Sequence, residues 1–218
     1  LSLQPRLRIS EKTNKYYRCL DTCKVFFYNG SHKKENIMRK TQTKSLAYTA
    51  ILIAFGILIP LVMPIKLVIG PASYTLGSHV PIFMALFLSL PIAILVALGT
   101  TVGFLLAGFP IVIVLRALSH LVFVLVAGLL LKKNPRILEK PLSRGLFALG
   151  INVIHGLAEF VIVYILTVGP ATESSYVWSL LGLVGLGALI HGMVDFYLAF
   201  YLWRFLSQKV GINFSLQK

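Results

Sequence analysis

Residues 67–115 read LVIGPASYTLGSHVPIFMALFLSLPIAILVALGTTVGFLLAGFPIVIVL, forty-nine positions without one Asp, Glu, Lys or Arg. A helix rises ~1.5 Å per residue, so ~20 apolar residues cross the ~30 Å hydrocarbon core of a bilayer. This stretch is too long for one span. It carries its own punctuation. Gly70-Pro71 and the polar residues around it mark residues 66–77 as a loop. Pro91 and Gly108-Phe109-Pro110 divide the remainder. The spacing predicts helix two over about 79–90, helix three over about 91–107 and helix four over about 110–131; a single bent helix over 79–107 is the alternative for the first two.

On its N-terminal side, Ser45–Ile65 is an uncharged first span whose outer end holds Pro60 and Pro64 and is expected to bend or unwind. On its C-terminal side, Lys132–Arg144 is a basic loop with Pro135 and Pro141. Helix five is expected over about 145–168, Gly169–Glu173 as a short loop, and helix six over about 177–203, closing at Trp203 and Arg204. The fold class is therefore all-α, a polytopic membrane protein of six transmembrane helices. Composition agrees: 57% of residues are hydrophobic, 13% are charged and the mean hydropathy is +0.83. The formal charge of +14 is not spread evenly. On a six-span topology, 19 of the 21 Lys and Arg fall on one side, Lys66 falls on the other and Arg116 lies inside a span. That asymmetry places both termini in the cytoplasm and the chain in the cell membrane, multi-pass, and argues against a nucleic-acid partner.

Residues 1–37 differ from the rest. They are basic and aperiodic and contain no signal-peptide pattern. They read as a disordered or non-native upstream extension, with Met38 as the initiator, residues 38–205 as the six-helix domain and 206–218 as a short cytoplasmic tail. Cys19 and Cys23 lie in that extension; they are either incidental thiols or a weak zinc or disulfide pair. No 20–50-residue repeat is evident. No G-x-x-x-x-G-K-[ST] motif occurs, so the chain does not itself drive transport by ATP hydrolysis.

Ionisable residues inside spans are costly and point to a task. Three helices carry such residues four apart, and hence on one face: Arg116 and His120, His155 and Glu159, His191 and Asp195. The cheapest place for the three stripes is a shared interior. Mutual satisfaction as packing glue is one reading, most of all for His191 and Asp195; a ligand site is the other. Arg116 lies ~9 Å inside helix four and needs an anion, either Glu159 or a ligand carboxylate, for which its planar fork is suited. Tyr74 in the first outer loop, His79 at the start of helix two and Asn152 on helix five complete the candidate substrate-binding set, and Tyr74 or Phe109 could stack on an aromatic ligand. The His/acid pairs also admit an intramembrane metal-dependent enzyme, although no third metal ligand stands out and H-E-x-x-H is absent. Haem bound by two histidines and a purely structural assembly factor are the remaining rivals. Neither a cofactor nor a catalytic residue is expected.

Ala50-x-x-x-Ala54 is a small-xxx-small motif, with Ala47 near the same face, and Gly182, Gly185, Gly187 and Gly192 suggest close packing of helix six. The Ala50/Ala54 motif, the stretch Ile69–Phe83 and the run Leu90-Pro91…Gly99…Gly103…Gly108 resemble the substrate-binding membrane subunits (S components) of energy-coupling factor vitamin transporters, and among them the niacin-specific type. The resemblance covers residues 38–205. It implies a small-molecule vitamin, niacin or another small anionic vitamin or precursor, held under the first loop among helices four to six. It implies a transmembrane coupling protein that Ala50 and Ala54 contact, two separate ATPase subunits, and inward release by toppling of the subunit in the membrane.

Overall fold

The computed structural model describes residues 42–70 and 72–209. The extension over residues 1–37 with Cys19 and Cys23, the initiator reading of Met38, and tail residues 210–218 lie outside the described residues. The chain divides into Leu1–Leu46 and Ala47–Lys218. Only the opening turn of the first helix is described from the former, and the fold is that of the latter.

The elements run α1 (Gln42–Val62), β1 (Lys66–Ile69), β2 (Ala72–Thr75), α2 (Val80–Leu88), α3 (Leu90–Leu106), α4 (Ile111–Lys133), a 3-10 turn (Pro135–Leu138), α5 (Pro141–Thr167), α6 (Ser174–Leu180), a π-helical segment (Leu181–Leu186) and α7 (Gly187–Lys209). The last three form one helical segment, Ser174–Lys209. Among the described residues four helices, α1, α4, α5 and Ser174–Lys209, are long and apolar enough to cross a membrane, and α3 is a shorter apolar helix. Their outward faces carry side chains such as Leu106, Ile165 and Trp178, all largely exposed. Lipid is the solvent that tolerates such a surface, and the protein is a polytopic helical membrane protein.

The helix boundaries follow local chemistry. Ser89 is extended (φ −170°, ψ 154°) and its hydroxyl accepts from Ile92 N at 3.4 Å, so it ends α2 and caps α3. Residues 79–107 are thus two helices and not one bent helix. Pro91 falls in the first turn of α3, where a missing N–H costs nothing. Gly108 turns the chain after α3 at φ +75°, a left-handed corner that favours glycine. α5 begins at Pro141, inside the expected basic loop, because proline is favoured in a helix's first turn. α7 continues through the expected tail boundary to Lys209.

The loop expected over residues 66–77 contains a small antiparallel sheet. Lys66 pairs with Thr75, Leu67 with Tyr74, Val68 with Ser73 and Ile69 with Ala72. Gly70, at φ +53°, sits at its turn. Lys66 also reaches back, donating from Nζ to the Pro60 carbonyl at 2.7 Å, and so satisfies a carbonyl left free near the end of α1.

The core is built around α2. Pro81 to Phe87 are all buried, and Phe83 and Phe87 meet Phe196 with ring centroids 5.4 and 5.8 Å apart. A helix apolar all round belongs in an interior. At nine residues α2 is only ~13 Å long. It does not cross a bilayer by helix length alone.

Glycines set the close approaches. Gly99 and Gly103 of α3 receive the side chains of Ile53 and Ile57 from α1, and Gly56 of α1 faces Thr100. In the last helix Gly185 places its carbonyl against Gly156 of α5, Gly187 lies under the Tyr74 ring and Gly192 under Asn152. Gly182 faces open space and has no such role. Ala47, Ala50 and Ala54 point the other way: on α1, Ala50 and Ala54 are exposed and so is Ala47.

Candidate ligand-binding site

The three polar stripes meet. α4 and α5 pack side by side, as do α5 and α7, so the i,i+4 pairs that each helix carries turn toward one interior. Arg116 donates from Nη2 to Glu159 Oε2 at 2.8 Å, and both side chains are buried. Glu159 Oε1 lies 3.3 Å from His120 Nε2 and 3.4 Å from His155 Nε2. The anion that Arg116 needs is therefore present within the protein. The Arg116 Nε atom is buried and has no hydrogen-bond partner among the described residues, so part of the guanidinium fork remains uncommitted.

Asp195 serves the loop before α2. Its Oδ1 accepts from Gly77 N at 2.8 Å and its Oδ2 from His79 N at 2.9 Å. Oδ2 also lies 3.1 Å from His79 Nδ1 and 3.4 Å from His191 Nε2. Buried irregular backbone must find partners inside the protein, and here a fully buried carboxylate supplies them. The same contact fixes the His79 ring with Nδ1–H donating to Asp195, which leaves Nε2 facing His120 Nε2 at 3.3 Å.

A cleft of about 80 Å³ opens beside Arg116. Its walls include Arg116, His120, Glu159 and His79, with Ser73 and Thr75 from β2, Ser78, Thr100 and Phe104 from α3, and Gly56 from α1. It is small against the ~300–1,000 Å³ of sites for drug-sized molecules, and admits only a small ligand. It combines a cation, hydroxyls and one aromatic wall, a lining able to hold a short anion with an apolar or aromatic body.

The other candidates lie elsewhere. Tyr74 donates its hydroxyl to the Leu183 carbonyl in the π-helical segment, and its ring tilts against His191 at 5.7 Å. Burial raises its phenol pKa. Asn152 donates to the Ala148 carbonyl at 2.9 Å and packs over Gly192. His155 is fully buried against His79, His120 and Phe123. None of these three lines the cleft. Phe109 stacks on Phe104 at 4.6 Å, and Phe104 is the ring that reaches the cleft wall. The sequence reading missed Ser73, Thr75, Thr100 and Phe104. Thr100-Thr101, the polar step in an otherwise apolar α3, is the signal that could have found one of them.

No protein-family profile and no solved structure matches the chain. One curated protein does. The chain is 39% identical over 196 residues, covering 87% of this chain and 88% of the other, to the niacin transporter NiaX of Lactococcus lactis subsp. cremoris (strain MG1363). Identity at that level along nearly the whole of both chains means that this chain belongs to the NiaX family.

Proposed function

We propose that this chain is the substrate-binding S component of an energy-coupling factor transporter for niacin, with six spans, both termini in the cytoplasm and a place in the cell membrane. The observation that carries the reading is Arg116, a buried cation on the wall of a small cleft, in a chain 39% identical to a niacin transporter. The nicotinate carboxylate meets Arg116, whose position is set by Glu159; His120 and His79 flank it, and Phe104 faces the pyridine ring. His155, Asn152 and Tyr74 support the walls, Asn152 and Tyr74 by fastening α5 and β2 to the last helix. Six spans result if α2 and the buried loop before it together cross the membrane, with Asp195 satisfying that loop's backbone.

In this reading ATP is hydrolysed by two separate ATPase subunits, and a transmembrane coupling protein docks on α1. Three facts support α1 as the docking helix. It is the least buried of the four long apolar helices. Its Ala47, Ala50 and Ala54 are exposed while its glycine side is engaged with α3. An apolar groove of about 460 Å³ separates its Tyr48–Ile59 face from α2 and α7. Small residues in line let a second helix approach closely. Ala50→Leu and Ala54→Leu are therefore expected to keep nicotinate affinity within ~3-fold and to reduce co-purification with the coupling protein at least ~10-fold, a loss of ~1.4 kcal/mol or more. Normal co-purification of both variants would make Ala50 and Ala54 ordinary lipid-facing residues.

A further inference from the structure

We infer that His79, His120, His155 and Glu159 form a binding site for one divalent transition-metal ion of the zinc class. One ligand atom from each of the four lies within 4.8 Å of the others. The separations are informative. His79 Nε2 to His120 Nε2 is 3.3 Å, His120 Nε2 to Glu159 Oε1 is 3.3 Å and His155 Nε2 to Glu159 Oε1 is 3.4 Å. These are long for hydrogen bonds, which cluster at ~2.9–3.0 Å. These three of the six edges match the ~3.3–3.4 Å edge of a tetrahedron whose centre is ~2.0–2.1 Å from each corner, the bond length of zinc to imidazole nitrogen and carboxylate oxygen, and the other three are no longer than 4.8 Å.

Hydrogen bonding alone leaves this cluster unsatisfied. His155 is fully buried, yet among the described residues neither of its ring nitrogens makes a hydrogen bond, and Nε2 has only the 3.4 Å contact with Glu159 Oε1. An orphaned buried imidazole needs an explanation, and an ion is one. The surroundings also resemble the outer shell of a metal site. Asp195 takes the Nδ1–H of His79 and directs its Nε2 lone pair inward; Arg116 takes Oε2 of Glu159 and leaves Oε1 for the cluster. Charge points the same way. Glu159 and Asp195 oppose a single Arg116 in the cluster, a net of one negative charge with neutral imidazoles. A divalent ion reverses that sign. Three imidazoles and one carboxylate suit zinc, cobalt or nickel, whereas calcium and magnesium favour all-oxygen sites.

This site goes beyond the transport reading and stands or falls without it. The test uses the full chain, purified in detergent through a tag without histidines and dialysed against metal-free buffer. Elemental analysis is expected to find about one zinc-class ion per chain. Cobalt(II) added to stripped protein is expected to give the strong visible bands of a tetrahedral ion. His155→Gln should weaken cobalt binding at least ~10-fold, since a lost ligand costs no less than a lost outer-shell partner. His191→Gln, which changes a residue of the neighbouring His79–His191–Asp195 group, should leave it within ~3-fold. Because the wild-type spectrum needs no variant, a misfolded His155→Gln protein would not blunt the test. Stripped wild-type protein that gives no tetrahedral cobalt bands overturns the assignment, as does cobalt binding that survives His155→Gln and is lost in His191→Gln.

Discussion

Arg116→Ala is expected to weaken nicotinate binding by ~2–5 kcal/mol, ~30- to ~5,000-fold, because the ligand carboxylate would then be buried without its cation. The same substitution leaves Glu159 with only His120 and His155. Breaking a buried ion pair by removing one partner costs ~3–5 kcal/mol, so the melting temperature should fall as well. Two effects on one variant need separating, and the pair itself provides the means. In Arg116→Met with Glu159→Gln neither residue keeps a charge, and most of the lost stability should return while binding does not. Arg116→Lys should recover binding only in part, since an ammonium lacks the planar fork. Affinity and melting temperature measured together on the three proteins check this. A stable double variant that binds nicotinate like the wild type would remove Arg116 from the anchor role.

Asp195→Leu should be the most destabilising single change in the loop–α7 contact. It strands the N–H groups of Gly77 and His79, both now satisfied by one carboxylate, and leaves His79 Nδ1 with Ser78 Oγ at 3.2 Å. An unsatisfied buried donor costs ~1–3 kcal/mol, so the summed loss is on the order of 3–5 kcal/mol once the loop relaxes. Asp195→Asn, which keeps one acceptor oxygen, should lose about half as much. Thermal unfolding in detergent reads the series. Equal melting temperatures for the wild type and the Leu variant would mean that the loop is held by its apolar packing instead.

The helix boundaries were legible because breakers act locally. Gly108 needs only its own left-handed corner to end α3, and Ser89 needs only Ile92 to start it. The i,i+4 pairs were legible for a similar reason: helical periodicity alone puts Arg116 with His120 and His155 with Glu159 on single faces. What those faces meet was not legible. The sequence left the partner of Arg116 open between Glu159 and a ligand, and only the packing of α4 on α5 chose Glu159. His79 stood at the expected start of helix two, and its partner Asp195 is 116 residues away. The hairpin escaped notice because Leu67–Ile69 is exposed and unalternating while Gly70-Pro71 reads as a loop. The glycines of the last helix signalled close packing but not the π-helical segment, whose wider ladder places the Leu183 carbonyl where the Tyr74 hydroxyl reaches it.

If the cleft beside Arg116 selects a carboxylate, the two closest forms of the vitamin should part company. Nicotinate and its neutral amide, nicotinamide, share a ring and differ only where Arg116 would act. Calorimetric titration of the purified wild-type chain with each compares them. Nicotinate should bind, and nicotinamide should bind at least ~100-fold more weakly, ~2.7 kcal/mol or more. Equal affinity for the two, or no heat from nicotinate, would contradict a carboxylate-selecting cleft.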